Sequence, residues 1–537
     1  MKKNLKEKIY YSRYLILLLL VMFIVYACSM FCNRPWYDEL YTYYYFISRG
    51  PVYAAIHWPV PNNHMGYSVL SAVLDLFGNN YIGLRGVSVI CSVANVYLLY
   101  RLCKRLCPKQ FFTVMGVYLG SYLTYSLAFQ GRGYALTTTC LLLALNALAD
   151  IAFGEEKKTY YIIWICALTW GLYTIASSTY WVIPLCLTGG AYLLITKQYK
   201  KLIRLIASSL LAAILTMGMY SMVWLAIGSN LLSKDAGSVF FGMYQLDVIK
   251  ASPFKALRTG MQYMLDTPYI QSIDRGDVIT GLWGYFVSLF DQFYSYLHIY
   301  MGTVTNAVFI LSVIIALIKI VGYMMSAKEE SDNKSLMTAV IVAVFGISIP
   351  LMLIIQSVNP YLRVFSFFAV ILGIMAFYLI NNAIIFLSEL FKRDDRVYEM
   401  AQTGIGICIM FVAITSNLLF TFKIGNTNSY YPIQLADREN DIADVLSVMD
   451  GDPHDIDSIY YTDDFQRFVL KFYYDIEPVE TSFEEAKYVI ISTAFLENTE
   501  QSDWPMLVYS DSFDIDYLTC NFELKGETKA YRVYRRK

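Results

Sequence analysis

Five stretches of this sequence, Tyr14–Met30, Leu202–Ile227, Ala307–Met325, Met337–Ile355 and Ile405–Phe420, are almost free of charge. Each approaches or exceeds the roughly 20 apolar residues needed to cross a hydrocarbon core. A chain with several such runs takes lipid as its main solvent, and only helices or closed barrels satisfy their backbone there. The 57% hydrophobic and 16% charged content, with a mean hydropathy of +0.45, is likewise too apolar for a water-facing globule.

The first run follows Lys2, Lys3, Lys6, Lys8 and Arg13, which resemble the basic region of a signal peptide. The run outlasts the roughly 7–15-residue core of such a signal and lacks a small-x-small cleavage site, so it is expected to stay as a first span. Basic clusters at the N-terminus and at 101–109, 157–158, 197–204, 328–334 and 392–396 mark cytoplasmic segments. Alternation between them predicts about eleven spans, near 14–31, 83–102, 111–128, 134–152, 160–176, 179–196, 202–226, 302–325, 336–356, 362–383 and 401–421. An odd number places the N-terminus inside and the C-terminus outside, in a plasma (inner) membrane setting. Outer segments are then expected at 32–82, at 228–301 and from 422 onward.

The net charge of −1 conceals two differently solvated bodies. From Phe422 to the end there are 11 Lys and Arg against 23 Asp and Glu, whereas the first 421 residues hold 31 against 20. The division predicts a membrane domain at 1–421 and an extracytoplasmic domain at 422–537. In the tail, 435–449 and 465–473 have helical periodicity, 458–461 and 488–491 read as buried strands, and 518–524 with 530–534 alternates as a hairpin. The expected fold is an α-helical polytopic membrane protein carrying a small C-terminal α/β domain. The basic residues are scattered over short loops and form no single patch, so nucleic acid has no support as a partner.

The cysteines carry little chemistry. Cys91, Cys140, Cys166, Cys186 and Cys408 lie in apolar runs, where cysteine is a small hydrophobe. Cys28/Cys32 and Cys103/Cys107 are four apart and lack the CxxC form, and Cys520 is alone in the tail.

Three features can carry chemistry. Trp36-Tyr37-Asp38-Glu39-Leu40-Tyr41 places adjacent carboxylates beside the first span, where ionisable residues are functional candidates. Asp38 can take the proton of an attacking acceptor hydroxyl, with Glu39 in support. Pro59-Val60-Pro61-Asn62-Asn63-His64 then presents a polar cluster on an extended backbone. Asn62 and Asn63 offer amides to a substrate, and His64 can orient a hydroxyl or share a divalent metal with Asp38 and Glu39. Arginines on the outer side break the positive-inside rule. Arg132, in Gln130-Gly131-Arg132-Gly133-Tyr134, and Arg363, in Pro360-Tyr361-Leu362-Arg363, are forks suited to a phosphate. Arg85, opening the second span, is a weaker partner for a phosphate or a carboxylate.

Together these residues resemble the GT-C superfamily of polyprenyl-phosphate-sugar-dependent transferases, in particular bacterial relatives of protein O-mannosyltransferases and of the lipid A aminoarabinose transferase. The Asp38-Glu39 pair, the Pro61-Asn62-Asn63-His64 segment, Arg85, Arg132-Gly133-Tyr134 and the late Arg363 follow the family order over about residues 10–385. The resemblance implies an undecaprenyl- or dolichyl-phosphate-sugar donor, inverting displacement onto an envelope acceptor, often a divalent cation near the acidic loop, and no nucleotide cofactor. A transporter would instead place polar residues at mid-membrane on broken helices of an internal repeat, and a scaffold for the tail would need no outer arginines.

Overall fold

The computed structural model describes residues 2–33, 35–57, 63–107, 111–233, 243–267, 270–294, 301–325, 333–391, 395–423, 444–449, 459–461, 468, 470–472, 474–476, 484–496, 515–528 and 531–537. The chain is a multi-pass membrane protein that divides into two units, one of residues 1–31 and 46–423 and one of residues 32–45 and 424–537.

The larger unit is helical. Its first half runs through α1 (Lys2–Cys32), then, beyond α2 (Tyr37–Tyr45) of the smaller unit, α3 (Pro51–Ile56), α4 (Met65–Asp75), α5 (Asn80–Leu106), α6 (Phe111–Leu119), α7 (Tyr122–Leu127), α8 (Tyr134–Phe153) and α9 (Lys158–Thr174). Its second half comprises α10 (Thr179–Ile195), α11 (Tyr199–Leu232), α12 (Met243–Ala251), α13 (Pro253–Asp266), α14 (Arg275–Tyr294), α15 (Gly302–Met325), α16 (Asn333–Gln356), α17 (Phe368–Phe391) and α18 (Asp395–Lys423).

Among the described residues nine helices are long and apolar enough to span a bilayer, against about eleven expected. The difference lies in two places. The stretch 111–128 breaks at Gly120, where Ser121 caps the next helix by accepting the Thr124 N–H at 3.2 Å. Helix α9 has 17 residues, at the short end of the crossing range.

With lipid as apolar as the helices, hydrophobicity does not press the bundle together, and close packing with polar links does. Asn95 and Asn146 of α5 and α8 donate across the pair to the carbonyls of Ala135 and Leu98, at 3.1 and 3.0 Å. At the far end of the same pair Asp150 binds Arg101 at 3.2 Å and Arg105 at 2.6 Å. Glycines let backbones touch elsewhere. A Cβ on Gly116 would lie 2.9 Å from the Met410 nitrogen of α18, and one on Gly406 would lie 3.1 Å from the Thr113 nitrogen of α6.

The smaller unit is built on a four-stranded sheet of β1 (Ile459–Tyr461), β2 (Tyr488–Ser492), β3 (Phe522–Glu527) and β4 (Tyr531–Arg536), ordered β1-β2-β4-β3. Strands β1 and β2 are parallel, with Ile459 opposite Tyr488, while β4 runs antiparallel to both of its neighbours. The C-terminal hairpin starts at Phe522, later than expected, because residues 515–521 form a short helix before it. One face buries Val445, Met449, Ile459, Phe468, Leu470, Tyr488, Ile490, Tyr531 and Val533. Leu40 completes that core, and Tyr37, Tyr41, Tyr44 and Tyr45 pack on it. Hence α2, expected in an outer loop of the membrane domain, belongs to the tail domain.

Candidate functional site

A cavity of about 350 Å³ in the larger unit gathers residues far apart in sequence: Asn63 and His64 before α4, Arg132 and Tyr134 at the start of α8, Tyr180 in α10, Gln356 at the end of α16, and Arg363. Such a volume suits a small-molecule site.

Glycines make the convergence possible. A Cβ on Gly66 would meet the Thr174 hydroxyl at 2.5 Å, and one on Gly133 would meet Thr174 Cγ2 at 2.7 Å and His64 Cβ at 3.2 Å. The turn before α4, the turn before α8 and the end of α9 therefore touch only because these two residues lack side chains. Arg132 sits between Gly131 and Gly133 and is 5% exposed. Its carbonyl accepts from Ser88 Oγ at 3.2 Å, which ties the arginine turn to α5.

His64 is held at both nitrogens. The Gly133 N–H donates to Nδ1 at 2.9 Å, and Arg132 Nη2 lies 3.1 Å from Nε2. Burial, then Arg132, then Arg363 hold the imidazole well below the usual histidine range, so the ring is neutral at pH 7. A guanidinium has only donors, so a neutral ring can accept from Gly133 or from Arg132 but not from both. Tyr134 meets the ring edge-on, with centroids 5.2 Å apart.

Asn63 lines the cavity, yet its amide donates to the carbonyls of Ala54 and His57 at 3.0 and 2.6 Å and accepts from Ser68 Oγ at 2.7 Å. It holds the His64 turn in place. Asn62 lies outside the described residues. Arg363 lies in a 3₁₀ turn, Leu362–Phe365, with its guanidinium 5.1 Å from the Tyr361 ring centroid. Arg85 does not line the cavity: it is fully buried, donates to the Met30 carbonyl at 2.8 Å and lies 5.7 Å from the Phe129 centroid. Its place is to join the end of α1 to α5.

The acidic pair lies in the smaller unit, in the first turn of α2, where carboxylates suit the helix dipole. Glu39 Oε2 accepts the Trp36 N–H at 2.8 Å, the return half of a capping box. Glu39 is thus a helix cap, while the Asp38 carbonyl accepts from Thr42 Oγ1 at 2.7 Å. At His64, in the larger unit, Nδ1 accepts the Gly133 N–H and Nε2 lies beside the Arg132 guanidinium. Among the described residues no three His, Cys, Asp or Glu side chains gather as a metal site.

Sequence reasoning missed Gly133, Thr174, Tyr180 and Gln356. The Gly-Arg-Gly sequence around Arg132 was a usable signal for the first. Nothing marks the other three, which are single polar residues inside or beside apolar helices.

Residues 63–225 match the family model described as dolichyl-phosphate-mannose-protein mannosyltransferase. This segment holds His64, Arg85, Arg132 and Tyr134, so the likeness drawn from short motifs is met by a family model at the same residues. No curated protein matches the chain. Among solved structures, ArnT from Cupriavidus metallidurans in the apo state is similar at 11% identity, covering 98% of each chain with a TM-score of 0.49. The same protein bound to undecaprenyl phosphate is similar at 12% identity over 97% of this chain and 98% of that one, with a TM-score of 0.48. The archaeal oligosaccharyltransferase AglB from Archaeoglobus fulgidus, in complex with an inhibitory peptide and a dolichol-phosphate, is similar at 10% identity over 89% of this chain and 69% of that one, with a TM-score of 0.42.

Proposed function

We propose that this chain is a GT-C-type glycosyltransferase that moves a sugar from a polyprenyl-phosphate carrier to an envelope acceptor at the outer face of the plasma membrane. The observation that carries the reading is the convergence of Arg132, Arg363 and His64 on one cavity, where the two guanidiniums suit a phosphate. The family model over 63–225 adds support, because its description names a transferase with a polyprenyl-phosphate-sugar donor.

In this reading the carrier phosphate is held by Arg132 and Arg363. An acceptor hydroxyl loses its proton to Asp38, and its oxygen attacks the anomeric carbon from the face opposite the phosphate. The anomeric C–O bond breaks and its electron pair leaves with the carrier phosphate, whose growing charge the two guanidiniums stabilise. The transferred sugar is a hexose or a pentose, and no nucleotide sugar enters the step.

The test is protein in lipid nanodiscs given labelled polyprenyl-phosphate sugar and an envelope extract. Release of free carrier phosphate with label on an acceptor is expected, and Asp38→Asn should nearly abolish it while the melting temperature stays unchanged. Full transfer by Asp38→Asn would remove Asp38 from the mechanism; absence of carrier release by the native protein would remove the reading.

A further inference from the structure

Resting on the transferase reading, we propose that Tyr180 and Gln356 form a specificity-determining pair that reads one hydroxyl of the transferred sugar. The phosphate ligands and His64 account for three residues of the cavity, and the rest of its polar lining is neutral. Among the lining residues there is no Asp, Glu or Lys. Within this neutral part Tyr180 and Gln356 are joined by a hydrogen bond between the phenol and the Gln356 side-chain oxygen, at 2.5 Å.

The bond fixes what each side chain presents. The phenol proton is directed at the amide oxygen, so the phenolic oxygen remains an acceptor and the amide NH₂ of Gln356 a donor. A donor beside an acceptor complements a hydroxyl, which both gives and takes a hydrogen bond. It does not complement an ammonium, which only donates, or a carboxylate, which only accepts.

The pair is also rigid where rigidity matters. Tyr180 is 5% exposed and packs against Phe365, with ring centroids 5.1 Å apart. Phe365 closes the 3₁₀ turn that carries Arg363, and Tyr285 donates to the Pro360 carbonyl just before that turn at 2.6 Å. At the end of α16 the Ser357 carbonyl accepts the Ile273 N–H at 2.8 Å, which holds the reversal after Gln356. The hydroxyl reader and a phosphate ligand thus share one scaffold, so a donor fixed by its phosphate presents its sugar to the pair in a set orientation.

The experiment measures binding of undecaprenyl phosphate and of undecaprenyl-phosphate mannose, glucose and galactose to the native protein, Tyr180→Phe and Gln356→Ala in nanodiscs. The native protein should separate the three sugars, since mannose and galactose each differ from glucose in the orientation of one hydroxyl. Each variant should compress that separation roughly three- to tenfold, the range for one neutral hydrogen bond. Both should bind sugar-free undecaprenyl phosphate as the native protein does. Variants that keep the native separation would overturn the pair while leaving the transferase reading intact. Failure of the native protein to bind any polyprenyl phosphate would overturn both. Tyr180→Phe keeps the ring contact with Phe365, so its result stands even if Gln356→Ala loosens the turn.

Discussion

At the scale of single residues, the proposed phosphate site rests on Arg132, whose guanidinium lies 3.1 Å from His64. Arg132→Ala should weaken undecaprenyl phosphate binding about ten- to hundredfold, the worth of one charge-assisted hydrogen bond. Arg132→Lys should not restore it, because a point charge lacks the fork; calorimetric titration of the three proteins checks both. Arg132, Arg363 and His64 were legible in the sequence because arginine outside a membrane and a histidine in a dense polar segment are conspicuous. Tyr180 and Gln356 were not, since their meaning comes from a partner 176 residues away. His57 makes a second prediction. Burial and then Arg49 lower its pKa to about 4, against an ordinary value of 6.5. The unfolded chain therefore binds more protons between those values, so the stability from a neutral His57 is full above 6.5 and is lost as pH falls through about 4. Melting temperature in detergent should drop across that window, and His57→Gln should drop less.

At the scale of elements, the bundle depends on glycines at helix crossings. Helix α13 lies so close on α11 that a Cβ on Gly260 would stand 1.9 Å from the Trp224 carbonyl oxygen, and one on Gly228 would stand 1.7 Å from that of Ala256. Neither helix can give way locally, because the obstacle is backbone. Gly260→Leu should therefore push α13 off α11 and destabilise the fold by about 1–3 kcal/mol or more; a lower melting temperature and new protease cleavage within 253–266 are the readouts. The spans themselves were legible, since their signal is summed over some twenty residues. The break at Gly120 was not, because one glycine and one serine in an apolar run do not change that sum. Strands β1 and β2 were legible as short apolar runs, whereas the helix before β3 lies below the length at which periodicity decides.

At the scale of the whole molecule, the residues assigned roles in the proposed chemistry fall in two units. All residues lining the cavity fall within 63–364, while Asp38 and Glu39 belong to the unit that holds the tail. A chain ending at Lys423 should thus keep undecaprenyl phosphate binding and lose sugar transfer, since α2 loses Phe468, Leu470 and Val533, on which its leucine and tyrosines pack. Carrier binding and carrier release, measured on the same preparation, separate these outcomes. The charge asymmetry made two bodies legible, but hydropathy ties α2 to its sequence neighbours, and only tertiary packing assigns it elsewhere. That assignment has a consequence for biosynthesis. Residues 37–45 leave the ribosome about 400 residues before Val445 to Val533, whose side chains complete their core. The hydrophobic face of α2 must wait for that later stretch to be synthesised. Completion of this core is therefore a late event, and a nascent chain that stalls before it cannot cover α2 in the same way.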